Sequence, residues 1–235
     1  MMIQIAPVTP NCSLRFEEKR HVCFGVSPFN SYFSEQRIQA LAKWGFENFE
    51  GVDFFVPDGP SAFTFEALGY DAEKAEWKAK RQGRYVKNKI VRALANLGIQ
   101  HEPAERTILN WDRLCENKRY VTLHEAVLDI YKCDNSFREA SLEASRWVLE
   151  KMVDDANLMT REMLTSAVRY LLAEIPLFID CASIVGRPSS VFCYHQCPDF
   201  IAKLIEGIYP VRASANQGFI VLKQNNCESP DPSRR

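Results

Sequence analysis

Short apolar runs alternate with longer segments of helical periodicity along this chain, and that alternation constrains the fold more than any other feature. The runs predict strands at residues 22–27, 52–56, 106–110, 190–195 and 218–222. Between the first two runs, residues 34–49 repeat apolar side chains at helical spacing. A strand, a helix and a strand in that order imply a right-handed parallel crossover. The sequence therefore predicts an α/β fold.

Length and composition indicate one domain. A chain of 235 residues can bury a sizeable core, and 46% hydrophobic with 25% charged residues is typical of a soluble globular protein. Neither an internal repeat nor an internal linker is evident. We therefore assign residues 21–223 to the domain, residues 1–20 to a lead-in, and residues 224–235 to a disordered tail.

The sequence predicts a cytoplasmic protein. The start of the chain lacks a basic segment followed by an apolar run, which a secretory signal would require. No apolar run approaches the roughly 20 residues of a membrane span. The eight cysteines contain no CxxC pair, so they are interpreted as reduced, small core residues.

Several helix boundaries can be predicted from capping patterns. A Thr or Ser followed three residues later by Glu fits a capping box, which predicts helix starts at Thr122 and Ser136. Thr160 can cap a further helix. That helix is expected to end near Glu174, because Pro176 follows.

Ser27 lies just past the first predicted strand, in a loop that leads into a helix. Parallel sheets bind ligands at the carboxyl ends of their strands, which directs attention to Ser27, Pro57 and His195. A serine in that position can accept an acyl group, and Asn30 can hold the loop by hydrogen bonds to its backbone. The alternative is that both are ordinary turn residues. A hydrolase elbow is excluded because GxSxG needs glycine where Phe29 stands.

Residues 78–92 carry seven basic side chains and no acidic one. Their apolar residues form one stripe on a helix, and all the basic residues fall outside it. In a chain of net charge −1, this concentration favours a phosphodiester partner; the alternative is a solvated face paired with acids elsewhere. Only Trp77 and Tyr85 are candidate stacking aromatics, which favours a folded or double-helical RNA surface. The basic residues are Lys78, Lys80, Arg81, Arg84, Lys87, Lys89 and Arg92.

Tyr170 and Glu174 are four residues apart and share the apolar side of a predicted helix. A carboxylate that faces a core is costly unless it has a partner or a task. Burial would also raise its pKa towards neutrality, where proton transfer is efficient. The alternative is a helix-end glutamate that reaches solvent.

The strand at 190–195 follows, and its period-two alternation directs Phe192 and Tyr194 to one face and Cys193 and His195 to the other. Cys193, His195 and Cys197 are residue types that bind zinc. Their spacing is not that of a zinc motif, and no fourth ligand with its own pair is evident. We therefore predict no metal site.

Three separated segments together resemble the cyclodipeptide synthase family. The resemblance extends from about residue 22 to residue 222 and is strongest in residues 25–34 (GVSPFNSYFS), 170–178 (YLLAEIPLF) and 189–195 (SSVFCYH). Asn30, Tyr194 and His195 match the signature of one subfamily. The resemblance implies a monomeric, single Rossmann-like domain with a central, mainly parallel sheet, similar to the catalytic domain of class I aminoacyl-tRNA synthetases. The ATP-handling motifs of those synthetases are absent here, so no cofactor is expected.

The resemblance also implies a ping-pong reaction with two aminoacyl-tRNAs as substrates. Ser27 is expected to accept the first aminoacyl group, and Tyr170 and Glu174 to hold its ammonium. Glu174 would manage the proton when that amine attacks the second ester. Tyr194 would assist at the serine when the cyclic dipeptide is released. The expected catalytic residues are Ser27, Asn30, Tyr170, Glu174, Tyr194 and His195.

The resemblance assigns a tRNA surface and a substrate pocket as well. The basic helix corresponds to the tRNA-binding surface, although residues 88–92 (NKIVR) interrupt the near-continuous arginines that members can carry. Lys87, Lys89 and Arg92 are the strongest candidates on it. An apolar first-substrate pocket implies an uncharged amino acid, and two phenylalanines in it favour a small or medium aliphatic one. The pocket positions are Cys23, Gly25, Phe55, Pro57, Leu177 and Phe192.

Two other functions fit parts of this pattern. A synthetase-like domain that binds tRNA without catalysis predicts that Ser27→Ala has no effect. A serine esterase on an α/β sheet predicts turnover of simple esters without tRNA.

Overall fold

One sheet of six strands forms the centre of the computed structural model, which describes residues 3–28, 30–153 and 155–224. The strands are β1 (Ile3–Pro7), β2 (Val22–Gly25), β3 (Val52–Phe55), β4 (Ile108–Leu109), β5 (Ser190–Tyr194) and β6 (Gln217–Gln224). Their order is β1-β6-β5-β2-β3-β4. β1 pairs antiparallel to β6, and the other neighbours pair in parallel. The predicted α/β fold with a mainly parallel sheet is confirmed.

Helices connect these strands and cover the sheet. In the described residues they are α1 (Pro10–Glu17), α2 (Glu35–Asn48), α3 (Ser61–Ala67), α4 (Ala72–Ala95), α5 (His101–Arg106), α6 (Trp111–Glu116), α7 (Lys118–Cys133), α8 (Asn135–Leu149), α9 (Arg161–Ile184) and α10 (Asp199–Ile205). The crossover predicted between the first two strands is formed by α2. None of the described helices is long and apolar enough to cross a membrane.

Alternating strand side chains build a core on each face of the sheet. On β5, Phe192 packs into one core, while Val191 and Cys193 pack into the other. Helices α7 to α10 cover the first core, and α2 and α4 cover the second. Because both faces are buried, the central strands appear in the sequence as continuous apolar runs.

The beginning of the chain belongs to the domain. Residues 1–20 were expected to form a lead-in, yet β1 pairs with β6 and α1 packs beside it. Thr9 caps α1 by accepting the N–H of Cys12. β1 is an edge strand of five residues that ends at Pro7, so its apolar pattern is too short to be recognised in the sequence. Of the expected C-terminal tail, Gln224 ends β6, and residues 225–235 lie outside the described residues.

Two helices begin earlier than the capping-box pattern predicts. The side chains of Asn117 and Asp134 accept backbone N–H groups three residues ahead and cap α7 and α8. Thr122 and Ser136 therefore lie inside these helices. Thr160 caps α9, as predicted.

α9 continues through Pro176 and does not end near Glu174. Proline removes one N–H from the helix, but backbone geometry departs from helical values only at Asp180 (φ −159°, ψ 49°), and the helix ends at Ile184. Arg119 Nη2 donates to the Asp180 carboxylate at 2.8 Å. Glu174 therefore occupies the interior of a helix, which excludes the interpretation that it is a helix-end residue.

α4 packs against the rest of the domain through the apolar stripe predicted from its sequence. Its buried residues are Ala75, Ala79, Gly83, Val86, Ile90, Ala93 and Leu94. At Gly83 the fit is closest, because an added Cβ would lie 2.1 Å from Asp58 Cβ and 3.1 Å from Asp58 Cα. Asp58 also accepts the N–H of Trp111 at 2.8 Å. Gly83 thus lets α4 approach the segment that links β3 to α3.

Gly83→Ala should destabilise the fold. The new methyl group must displace Asp58, which we expect to lower the free energy of unfolding by about 1–3 kcal/mol despite the higher helix propensity of alanine. Urea denaturation measures this change. Asn88→Ala, at an exposed position of the same helix, should change stability by less than about 0.5 kcal/mol. A Gly83→Ala variant as stable as the wild type would contradict the packing described.

Candidate active site

Ser27 lies two residues beyond β2, at the carboxyl edge of the parallel strands. β2 is flanked by β3 and β5, so Ser27 follows the end of a central strand. The Val26 N–H still donates to the Phe55 carbonyl at 2.9 Å, which holds the backbone just before the serine. Ser27 lines a cavity of about 990 Å³. This is the position at which parallel sheets bind ligands.

Asn30 fixes the loop after Ser27. Its Oδ1 accepts the Tyr32 N–H at 2.9 Å, and its Nδ2 lies 2.5 Å from His195 Nε2. Because an amide nitrogen donates, His195 Nε2 accepts and must be unprotonated. Burial lowers the pKa of His195 and favours this neutral ring. The ring is flanked by those of Tyr32 and Tyr194, each with its centroid 4.4 Å away.

Three further side chains converge on Ser27. Tyr170 and Glu174 lie one turn apart on α9, and their side chains are close enough to influence each other's pKa. Tyr194 is the last residue of β5. The Ser27 side chain adjoins both phenols, Asn30 adjoins Tyr194, and all of these residues line the same cavity. All of these residues were predicted as catalytic from the sequence, and the structure brings them together.

Burial governs the acidity of this cluster. It raises the pKa of Glu174 to about 8, while the Tyr170 hydrogen bond acts in the opposite direction. Burial also raises the pKa of Tyr170, to which the Glu174 charge adds, and that of Tyr194 to about 12. Both phenols therefore stay protonated near neutral pH. Glu174 can take up or release a proton there.

The cavity extends from Ser27 towards α8 and α10. Gly25 and Phe192, two of the predicted pocket residues, line its inner wall. An added Cβ at Gly25 would lie 2.8 Å from Phe192 Cζ, so any larger residue there would have to move the Phe192 ring. The outer wall was not predicted. It includes one face of α8 and the residues just after that helix, where the Lys151 Nζ lies 3.1 Å from the Trp147 ring centroid. Helical spacing of the cavity-lining residues within α8 was the available signal.

Four other predicted pocket residues do not line this cavity. Cys23, Phe55 and Leu177 are at most 1% exposed and belong to the core beneath Ser27. Pro57 is buried as well, and its carbonyl accepts the Ser61 hydroxyl at 2.5 Å. The packing of the strands against α9 buries these side chains and separates them from the cavity.

The residues weighed for zinc are separated by the sheet. Cys193 is 1% exposed and faces the core that α2 and α4 cover, whereas Cys197 packs against the opposite core. Among the described residues, no three or more His, Cys, Asp or Glu side chains gather closely enough to hold a metal ion.

The predicted basic residues of α4 all lie outside its buried stripe. Some have acidic partners, as the alternative interpretation expected. These ion pairs are Lys80–Glu76 (2.6 Å), Lys87–Glu105 (2.8 Å) and Arg92–Glu35 (2.7 Å).

Lys78, Arg81, Arg84 and Lys89 form no ion pair with the described residues. The Lys89 Nζ donates instead to the Phe33 carbonyl at 3.4 Å. Phe33 belongs to the loop between Ser27 and α2, so this bond links the basic helix to the loop that carries the serine.

A sequence model of the cyclodipeptide synthase family matches residues 3–224. The chain belongs to the cyclodipeptide synthase family. The cyclo(L-tyrosyl-L-tyrosyl) synthase of Mycobacterium tuberculosis is 34% identical to this synthase over 218 residues, which are 93% of this chain and 75% of the relative. The crystal structure of a cyclodipeptide synthase from Bacillus thermoamylovorans is 32% identical, with a TM-score of 0.86 over 95% of this chain and 97% of its own. The predicted family and enzyme class, an aminoacyltransferase, are confirmed.

Two more distant structures share the fold. The synthase from Candidatus Glomeribacter gigasporarum, in a structure bound to Phe-tRNAPhe, is 16% identical, with a TM-score of 0.58 over 92% of each chain. Tyrosyl-tRNA synthetase from Archaeoglobus fulgidus, complexed with L-tyrosine, is 14% identical, with a TM-score of 0.52 over 92% of this chain and 59% of its own. The predicted similarity to an aminoacyl-tRNA synthetase is thereby confirmed for the fold. The subfamily signature of Asn30, Tyr194 and His195 stays a prediction.

The raised pKa of Glu174 should make stability depend on pH. The folded protein binds this proton more tightly than the unfolded chain, so folding carries a cost that begins above the ordinary pKa of 4.5, grows with pH, and levels off above about 8. Glu174→Gln removes the cost. We expect the Tm of the variant to exceed that of the wild type by a margin that increases from about pH 5 to pH 8, measured by circular dichroism.

Glu116→Gln, at an exposed position of α6, should show no such trend with pH. A constant Tm difference for Glu174→Gln across this range would mean that the carboxyl group is not held away from water.

Proposed function

We propose that this synthase joins two amino acids, each delivered as a tRNA ester, into a cyclic dipeptide through an aminoacyl ester on Ser27. The convergence of Ser27 with Tyr170, Glu174 and Tyr194 at the cavity carries the proposal. The name of the Mycobacterium tuberculosis relative supports the product class. The Phe-tRNAPhe bound to the distant family member supports the substrate class.

In the first step, Ser27 Oγ attacks the ester carbonyl carbon of one aminoacyl-tRNA. The bond to the terminal ribose oxygen breaks, a serine ester forms, and the serine proton ends on the departing ribose hydroxyl. Tyr194, which lines the cavity beside the serine, can pass that proton. One ester replaces another, so the step needs no ATP.

In the second step, the bound aminoacyl group becomes the nucleophile. Its ammonium is held by the Tyr170 phenol and the Glu174 carboxylate, and Glu174 accepts a proton to free the amine. The amine attacks the carbonyl carbon of the second aminoacyl-tRNA ester, a peptide bond forms and the bond to the ribose oxygen breaks. The second proton of the amine passes to that ribose oxygen, and the second tRNA leaves. A pKa of about 8 suits Glu174 to this transfer near neutral pH.

In the third step, the free amine of the dipeptidyl group attacks its own ester carbonyl. The bond to Ser27 Oγ breaks, and the cyclic dipeptide is released. Tyr194 donates a proton to the departing Oγ and regains one from the attacking amine. Its pKa of about 12 keeps the phenol protonated for this role.

The inner wall of the cavity, with Gly25 and Phe192, is apolar and favours an uncharged first amino acid. The expectation of a small or medium aliphatic amino acid assumed that Phe55 and Phe192 both narrow the pocket. Phe55 lies in the core instead, so the cavity admits larger uncharged side chains. A product dominated by Lys, Arg, Asp or Glu would contradict this assignment.

Ser27→Ala should abolish synthesis. Without the hydroxyl group no aminoacyl ester forms, and we expect cyclic dipeptides in the medium of expressing bacteria to fall by at least about 1000-fold, measured by mass spectrometry. The matched control is Ser31→Ala, because Ser31 is exposed in the same loop and should retain synthesis. Unchanged product from Ser27→Ala would refute the serine mechanism.

The basic face of α4 is proposed to bind the tRNA backbone. Lys87→Glu and Lys89→Glu should each raise the KM for aminoacyl-tRNA about 10-fold with little change in kcat, because a phosphate contact is made equally in the ground and transition states. Lys132→Glu, at an exposed residue of α7 that is also ion-paired, serves as the control. Equal KM values for all three variants and the wild type would exclude α4 as the tRNA surface.

A further inference from the structure

Aromatic and cationic side chains alternate every four residues along the exposed side of α4. Trp77 and Tyr85 are each 57% exposed, among the most exposed large apolar side chains of the described residues. The Arg81 guanidinium lies 5.3 Å from the Trp77 ring centroid, and the Lys89 Nζ lies 4.6 Å from that of Tyr85. Successive members are about 6 Å apart along the helix axis. We call Trp77, Arg81, Tyr85 and Lys89 the aromatic row.

The charges in this row are available to a ligand. Lys80, Lys87 and Arg92 on the same helix have acidic partners, but Arg81 and Lys89 form no ion pair with any described residue. They rest on the aromatic rings instead. A ligand that carries both negative charges and flat aromatic rings can therefore contact the cations and the aromatic side chains at the same time.

The row leads to the catalytic loop. Lys89 donates to the Phe33 carbonyl, and the Phe33 ring centroid lies 5.8 Å from that of Tyr194, which lines the same cavity as Ser27. From Lys89 the row extends about 18 Å along α4 to Trp77. A strand of nucleic acid whose end lies at Ser27 can therefore follow the row away from the site.

We propose that the aromatic row is a stacking platform for the unpaired nucleobases at the 3′ end of the tRNA substrates. Unpaired bases expose their faces to Trp and Tyr, while bases inside a duplex do not. Arg81 and Lys89 neutralise the phosphates between them. This proposal rests on the proposed function, because it assumes that the ligand at Ser27 is a tRNA ester. It also revises the expectation that so few aromatics favour a double-helical surface.

The test compares two RNA hairpins that reproduce a tRNA acceptor stem, one with the unpaired 3′ nucleotides and one blunt-ended. Binding to the full chain is measured at one fixed salt concentration. Trp77→Leu and Tyr85→Leu remove the aromatic faces, and Trp77→Phe and Tyr85→Phe keep them. Phe46→Leu is the matched control, since Phe46 is an exposed aromatic residue of α2. Arg84→Glu tests charge alone.

Each leucine variant should weaken binding of the hairpin with unpaired nucleotides about 5- to 100-fold. Binding of the blunt hairpin should not change. The phenylalanine variants should retain most of the affinity, and Trp77→Phe should lose the fluorescence quenching that RNA causes in the wild type. Arg84→Glu should weaken both hairpins alike, and Phe46→Leu neither.

Equal loss for both hairpins in the leucine variants would overturn the proposal, because the row would then contact the duplex. Unchanged affinity would overturn it as well. So would a change confined to the oligomeric state, measured by sedimentation, which would identify a protein interface. The hairpins carry no amino acid and do not need Ser27 chemistry. Failure of the row therefore leaves the Ser27→Ala result intact, and failure of Ser27→Ala leaves the hairpin result intact.

Discussion

The parallel pairing of β2 with β5 determines where the candidate reactive groups of this synthase lie. The register aligns Phe24 with Cys193, so the next residues, Gly25 and Tyr194, are neighbours, and Ser27 follows within reach of the Tyr194 phenol. A slip of one residue would exchange the side chains of β5 between the two cores and turn Tyr194 away. The two apolar cores, which hold this register, therefore also position the serine and its phenol.

α9 supplies the other half of the site at an energetic cost. Its carboxyl group at Glu174 is held away from water, and its Pro176 removes a helical hydrogen bond. The nearby Tyr170 phenol offsets part of the first cost by favouring the charged form of Glu174. Tyr120, which donates its hydroxyl to the Ala173 carbonyl at 2.8 Å, holds this turn of the helix against α7. The resulting pKa near neutrality is what the proposed proton transfers require.

The sequence predicted the features that depend on local periodicity. The five strands β2 to β6, the buried stripe of α4 and the face shared by Tyr170 and Glu174 were all correct, because each depends on side chains a few residues apart. The edge strand β1, the continuation of α9 through Pro176 and the burial of Cys23, Phe55 and Leu177 were not. These features depend on packing between residues that are far apart in the sequence. Such packing determines whether a short strand pairs with the edge of the sheet and whether an apolar side chain lies in the core or lines a cavity.

The central claim is that Ser27 stores an aminoacyl group between the arrivals of two tRNAs. Its most direct test is to mix the purified synthase with one kind of aminoacyl-tRNA, quench in acid, digest the protein and map the adduct by tandem mass spectrometry. We expect an added aminoacyl mass on Ser27 itself. An adduct on another residue, or none in a preparation that still forms cyclic dipeptide, would contradict it.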